Sequence, residues 1–135
     1  MGCVYVKSGV QFTMIAPGGF RILSALEQVA NTSPFDLVIT SGCDGTHSGP
    51  ADPHHEGKAY DVRSHEFTPE QKDKLLASIM SILGWTYFYG FLESPGTDNE
   101  HFHFQVAKGK VYPDPLTSAS SGAGGGDQTS QEKTT

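Results

Sequence analysis

Apolar residues recur along this chain with two different periods, and the switches between them divide it into elements. Residues 3–15 alternate roughly between apolar and polar around Ser8-Gly9, the pattern of a short hairpin or irregular extended start. Beyond the breaker Pro17-Gly18-Gly19, residues Ile22, Leu23, Leu26, Val29 and Ala30 fall at helical spacing. They predict a helix over about 19–31, ended by Ser33-Pro34. Leu37-Val38-Ile39-Thr40 reads as a short apolar strand. Residues 41–57 are rich in Gly, Ser, Asp, Pro and His and show no period, so they predict a long loop of the kind that often carries function. A short strand follows from Lys58 to Val62. Thr68-Pro69-Glu70-Gln71 is a strong helix start, with Thr at the cap, Pro at the first helical position and Gln completing a capping box. Leu75, Leu76, Ile79, Ile82 and Leu83 supply that helix with a buried face, and Gly84 ends it. Trp85 to Leu92 predicts an aromatic strand, residues 93–99 a turn, and His101 to Ala107 a final alternating strand.

This order predicts an α+β domain: a small, mainly antiparallel sheet with two helices packed on one face, leaving the other free to carry a site. Composition narrows the domain to residues 1–113. From Thr117 onward Ser, Gly, Thr and charged residues dominate, so residues 114–135 are expected to be a disordered tail. The formal net charge is −6 with no run of Lys or Arg, which argues against nucleic acid or an anionic membrane as partner. No stretch approaches the ~20 apolar residues of a membrane span, and no charged start leads into an apolar secretory signal. A monomer is expected. The two cysteines, Cys3 and Cys43, are expected to be buried free thiols rather than a disulfide. Without a Cys-x-x-Cys, any metal here must be held by His and carboxylate.

Five of the six histidines fall in two groups: His47, His54 and His55 around the long loop, and His101 and His103 on the last strand. His54-His55-Glu56-Gly57-Lys58-Ala59-Tyr60-Asp61 reads H-x-x-G-x-A-x-D. Gly57 can take a positive φ and turn the chain from loop into strand, so that His54 and Asp61 point at one place. His101 and His103 are two apart and project from the same sheet face. Two imidazoles and one carboxylate make a zinc site with an open fourth position, the form suited to catalysis.

The two-part pattern resembles the zinc peptidase superfamily of D-alanyl-D-alanine carboxypeptidases, phage L-alanyl-D-glutamate endolysins and lysostaphin-type enzymes. In detail it is most similar to the hedgehog signalling domain of that superfamily: Thr46-His47-Ser48, then His54 to Val62, then His101-Phe102-His103. The resemblance covers about residues 37–107 and implies that His54, Asp61 and His103 hold one zinc ion, with His47 and His101 lining the pocket. It offers two general bases. Glu100 stands three residues before His103, as in many of these peptidases, whereas Leu92-Glu93-Ser94 resembles the Tyr-Glu-Ser element of hedgehog-like sequences. Glu100 is favoured because it adjoins the ligand strand, with Glu93 as the alternative. Many of these peptidases carry a substrate-binding Arg in the segment matching Ser41 to Asp44, where this chain has Asp44; Arg63 and Lys58 are the available cations. Asp44 and Asp52 give only thin support for a calcium site. The implied reaction is hydrolysis of an amide bond in a peptide, with the stem peptides of bacterial peptidoglycan as substrate. The alternative is a catalytically inactive, zinc-stabilised protein-binding module.

Truncation after Pro115 is expected to leave the fold and metal affinity intact. A melting temperature lowered by more than a few degrees would show that the tail packs on the domain.

Overall fold

The structure, a computed structural model, describes residues 1–44 and 52–113. His47 and the expected tail lie outside the described residues. Five strands form one sheet in the order β1-β2-β3-β5-β4: β1 is Val4–Val6, β2 Leu37–Ser41, β3 Ala59–Arg63, β4 Phe88–Glu93 and β5 His101–Val106. β1 runs parallel to β2, and every other neighbouring pair is antiparallel. Helices α1, Pro17–Thr32, and α2, Pro69–Leu83, pack on each other and on the sheet. The protein is the small α+β fold that the periodicity predicts. Among the described residues no helix is long and apolar enough to cross a membrane.

Alternation along the central strands decides which side chains are core. Phe102, Phe104 and Val106 of β5 meet Tyr60 and Val62 of β3 and Phe88 of β4 beneath the helices, where Ile22, Leu26, Leu75 and Ile79 close the cluster. Truncating one of these buried Phe side chains to Ala typically costs about 3–5 kcal/mol. Helix α2 begins as its sequence dictates: the Gln71 N–H donates to Thr68 Oγ1 at 3.2 Å, and the Thr68 N–H donates back to Gln71 Oε1 at 3.0 Å. Its buried positions are Leu75, Ile79 and Met80, with Leu76, Ile82 and Leu83 only partly covered.

Of the two forms open to the start of the chain, the structure has the irregular extended one: it turns at Ser8-Gly9, and Val4–Val6 pairs with β2 instead of folding back on residues 10–15. Two expectations need correction. Helix α1 begins at Pro17 rather than at 19: the proline occupies the first turn, where no N–H is needed, and the glycines are buried helical residues instead of a break. Strand β4 starts at Phe88, leaving Trp85 in a bend and 66% exposed.

Gly57 ends the turn that precedes β3. It has φ +69°, and a Cβ there would lie 2.4 Å from the Met14 carbonyl oxygen. Its own carbonyl accepts the Tyr60 hydroxyl at 3.1 Å and the Ala16 N–H at 3.2 Å. Helix α1 comes so close that a Cβ on Gly19 would lie 2.1 Å from that same carbonyl oxygen. Gly57→Ala is therefore expected to lower stability by at least ~1–2 kcal/mol, the cost of a left-handed backbone for a residue with a Cβ, as read from a urea melt.

Candidate metal centre

Side chains that alternate away from the helices form a grid on the opposite face of the sheet. Across β3, β5 and β4 the register sets Arg63, His101 and Glu93 in one row, Asp61, His103 and Phe91 in the next, and Ala59, Gln105 and Tyr89 in the third. Between Ile39 and Ser41 the register of β2 slips against β3, so that Ser41 stands opposite Asp61. His54 reaches the same place from the turn before β3.

Asp61, Glu93, His101 and His103 bring one potential ligand atom each to within 4.8 Å of one another and can hold a metal ion. His54 joins them through Asp61: its Nε2 lies 3.3 Å from Asp61 Oδ1, the oxygen that also sits 2.9 Å from His103 Nδ1. The other Asp61 oxygen, Oδ2, lies 3.5 Å from His101 Nε2, which is in turn 2.9 Å from Glu93 Oε1. His54, Asp61 and His103 are buried, whereas Glu93 keeps a side chain 44% exposed.

Each imidazole is fixed by its other nitrogen. His54 Nδ1 lies 3.0 Å from the Gly42 carbonyl and His101 Nδ1 2.7 Å from the Asn99 carbonyl. His103 Nε2 lies 2.7 Å from Gln105 Oε1, an amide oriented by its own NH₂, which donates to the Val106 carbonyl at 3.1 Å. All three partners are acceptors, so these nitrogens carry the ring protons. The remaining nitrogens turn inward, against two carboxylates. Such a set needs positive charge between its members, either protons or a metal cation. Burial works against ionisation of Asp61, but hydrogen bonds from His103 and His54 and the nearby charges of His54 and His101 win, holding its carboxyl well below the usual range. Burial likewise disfavours charge on His103, and Asp61, Gln105 and Glu93 together raise its pKa.

No family model, curated protein or solved structure matches the chain. The reading of this site therefore rests on its own geometry.

The carboxylate favoured as base from the sequence is not in the cluster. Glu100 lies an odd number of residues before His103 and turns to the helix side, where it accepts from Ser64 Oγ and Lys72 Nζ, each at 2.6 Å, and from the Gly96 N–H at 3.0 Å. The Gly96 N–H, Lys72 and Ser64, in that order, outweigh burial and bring its pKa down to about 2. A carboxylate saturated by three donors is a brace between the β4–β5 turn and α2. Glu93, the alternative, is the one brought to the histidines. Of the two cations considered, Lys58 pairs with Glu56 at 3.7 Å, and Arg63 stands in the row of His101. Asp44 and Asp52 accept backbone N–H groups, Asp44 from Gln11 and Gly42 and Asp52 from His54. Cys43 is buried and Cys3 is exposed, and both are free thiols, so the expectation fails for Cys3.

Sequence reasoning missed Gln105, although the alternation His101-x-His103-x-Gln105 placed it on the site face. It also missed the shelf made by Tyr89 and Phe91, whose rings stack with centroids 5.9 Å apart; Phe91 lies 5.3 Å from the His103 ring. Burial, then the charges of Asp52 and Glu93, raise the Tyr89 pKa, so its phenol stays protonated.

Because folding depresses the Glu100 pKa from 4.5 to about 2, its contribution to stability is complete above pH 4.5 and is lost as the pH falls toward about 2. Glu100→Gln is expected to be less stable than wild type at neutral pH and to lose less on acidification across that window. Lys72→Met, which strips the buried carboxylate of its cation, should cost about 3 kcal/mol. Urea melts at a series of pH values check both.

Proposed function

We propose that this protein is a zinc-dependent hydrolase of peptide amide bonds, with the peptides of bacterial peptidoglycan as its substrates. The observation that carries the reading is the arrangement of three imidazoles, each with one nitrogen on an outer carbonyl and the other turned inward on Asp61 and Glu93. That outer anchoring is the support metal-binding histidines use. His54, Asp61 and His103 would hold one zinc ion, two nitrogens and an oxygen being a donor set zinc accepts with a position left open. A zinc ion there supplies Lewis acidity, bringing the pKa of a bound water from about 16 to about 7. The resemblance of the two histidine motifs to the zinc peptidase superfamily supports the same reaction class.

Within this reading the chain's own residues divide the remaining work. Glu93 is half-exposed, unlike Glu100, and its carboxylate, held by His101 through Oε1, would take a proton from the attacking water and return it to the leaving amine. His101 lies between Glu93 and Asp61, and with a second ring proton on Nε2 it would donate to the oxygen that becomes negative in the transition state. Arg63 stands beside His101 in the strand register. Opposite His101, it replaces the arginine that Asp44 displaces and neutralises a carboxylate of the substrate. The exposed edge of Phe91 with Tyr89 favours a second reading, a binding module whose partner docks on the aromatic shelf.

Elemental analysis is expected to find one zinc per chain, lost from His54→Ala, Asp61→Ala and His103→Ala and kept by His55→Ala. Full occupancy in His103→Ala would remove the proposed ligand set.

With peptidoglycan peptides as substrates, Glu93→Gln is expected to keep its zinc and lose about 100-fold or more in kcat, the scale of a missing general base, while Arg63→Gln raises KM. If zinc-loaded wild-type protein leaves every such peptide intact, the binding module is the better reading.

A further inference from the structure

We propose that Asp44 is a positioning residue for His54, acting through the backbone of Gly42. Asp44 Oδ1 accepts two N–H groups, that of Gly42 at 2.8 Å and that of Gln11 at 3.1 Å, and so ties the end of β2 to the N-terminal stretch. The next N–H along, Cys43, donates to the Gln11 carbonyl at 2.6 Å. In a planar trans peptide the N–H and C=O point in opposite directions. Holding the Cys43 N–H on Gln11 therefore aims the Gly42 carbonyl the other way, at His54 Nδ1 3.0 Å distant. The contact is tight enough to require glycine, since a Cβ on Gly42 would lie 2.6 Å from the Gln11 oxygen.

That carbonyl sets the ring orientation of His54. With Nδ1 donating to it, Nε2 faces Asp61 Oδ1. The acidic residue that stands where related sequences carry an arginine thus belongs to the support of the cluster. It does so by geometry, through an oxygen in a fixed place, and its charge is secondary. The inference rests on the metal-centre reading only for its affinity arm.

Two measurements test it. In the first, zinc affinity is read by competition with a chromophoric chelator. Asp44→Ala is expected to bind zinc about 10- to 100-fold more weakly, the range for loss of an outer support. Asp44→Asn keeps the accepting oxygen and should stay within about threefold of wild type. Should Asp44→Ala fail to fold, Asp44→Glu, which keeps the charge but misplaces the oxygen, carries the same expected loss. In the second, ¹H–¹⁵N spectra of the metal-free protein report the ring N–H groups. The His54 Nδ1–H is expected to exchange slowly with solvent in wild type and Asp44→Asn and rapidly in the weakened variant, with the His103 Nε2–H unchanged. An equally protected His54 Nδ1–H in that variant overturns the proposal, and so does a change that affects His54 and His103 alike. If wild-type protein binds no zinc, the metal-centre reading falls and the ring spectra alone decide this one.

Discussion

Antiparallel pairing of Ala59–Arg63 with His101–Val106 is the contact on which both faces of this molecule depend. A single register sets Tyr60 and Val62 against Phe104 and Phe102 in the core, and Asp61 against His103 on the other side. Because side chains alternate with a period of two, a slip of one residue would carry the aromatic set outward and bury the imidazoles under the helices. Selection for a dry core is thus also selection for the cluster. The hydrophobic force that holds Phe102 and Phe104 in place is what keeps His101 and His103 side by side, and neither can be tuned without the other.

Charge imposes the second constraint. Two carboxylates and three inward ring nitrogens concentrate electron pairs where solvent is largely excluded, and such a group stays together only with cations among its members. The fold spends its neutral acceptors, the Gly42 and Asn99 carbonyls and the Gln105 amide, on the outer nitrogens, so the balance falls to ring protons or a metal ion within the cluster. On the opposite face Glu100 has the contrasting solution, a lysine, a hydroxyl and a backbone N–H supplied by the protein itself. Asp61 and Glu100 are about equally buried and differ in their partners, imidazoles for one and a lysine for the other.

Much of this was legible in the sequence because it is local. The start of α2 is written in Thr68, Pro69 and Gln71, whose hydrogen bonds involve only one another. The meeting of Asp61 with His103 follows from strand alternation and the H-x-x-G-x-A-x-D spacing, and Gly57 has the positive φ that the motif suggested. Glu100 was favoured over Glu93 because closeness along the chain was weighed above parity, and only Glu93 meets the histidines. An offset of three from His103 points to the far face. Glu93 lies eight residues from His101 and is delivered by the β4–β5 hairpin, whose register is set by a turn with left-handed residues at Ser94 and Gly96. No spacing rule reveals such a register. The parallel partnership of β1 with β2 was equally hidden, since it depends on the chain's route through α1, as was the Gly42 carbonyl, a backbone atom with no side chain to announce it.

Asp44 and Asp52, on either side of the stretch that joins β2 to the His54 turn, are each fastened to backbone N–H groups. Both act on His54, from different directions: Asp52 accepts the His54 N–H, whereas Asp44 accepts the N–H of Gly42, whose carbonyl meets the His54 ring. The imidazole is thus held at two points, by its main chain and by its ring. Loss of either anchor would leave a pivot where there is now a fixed group.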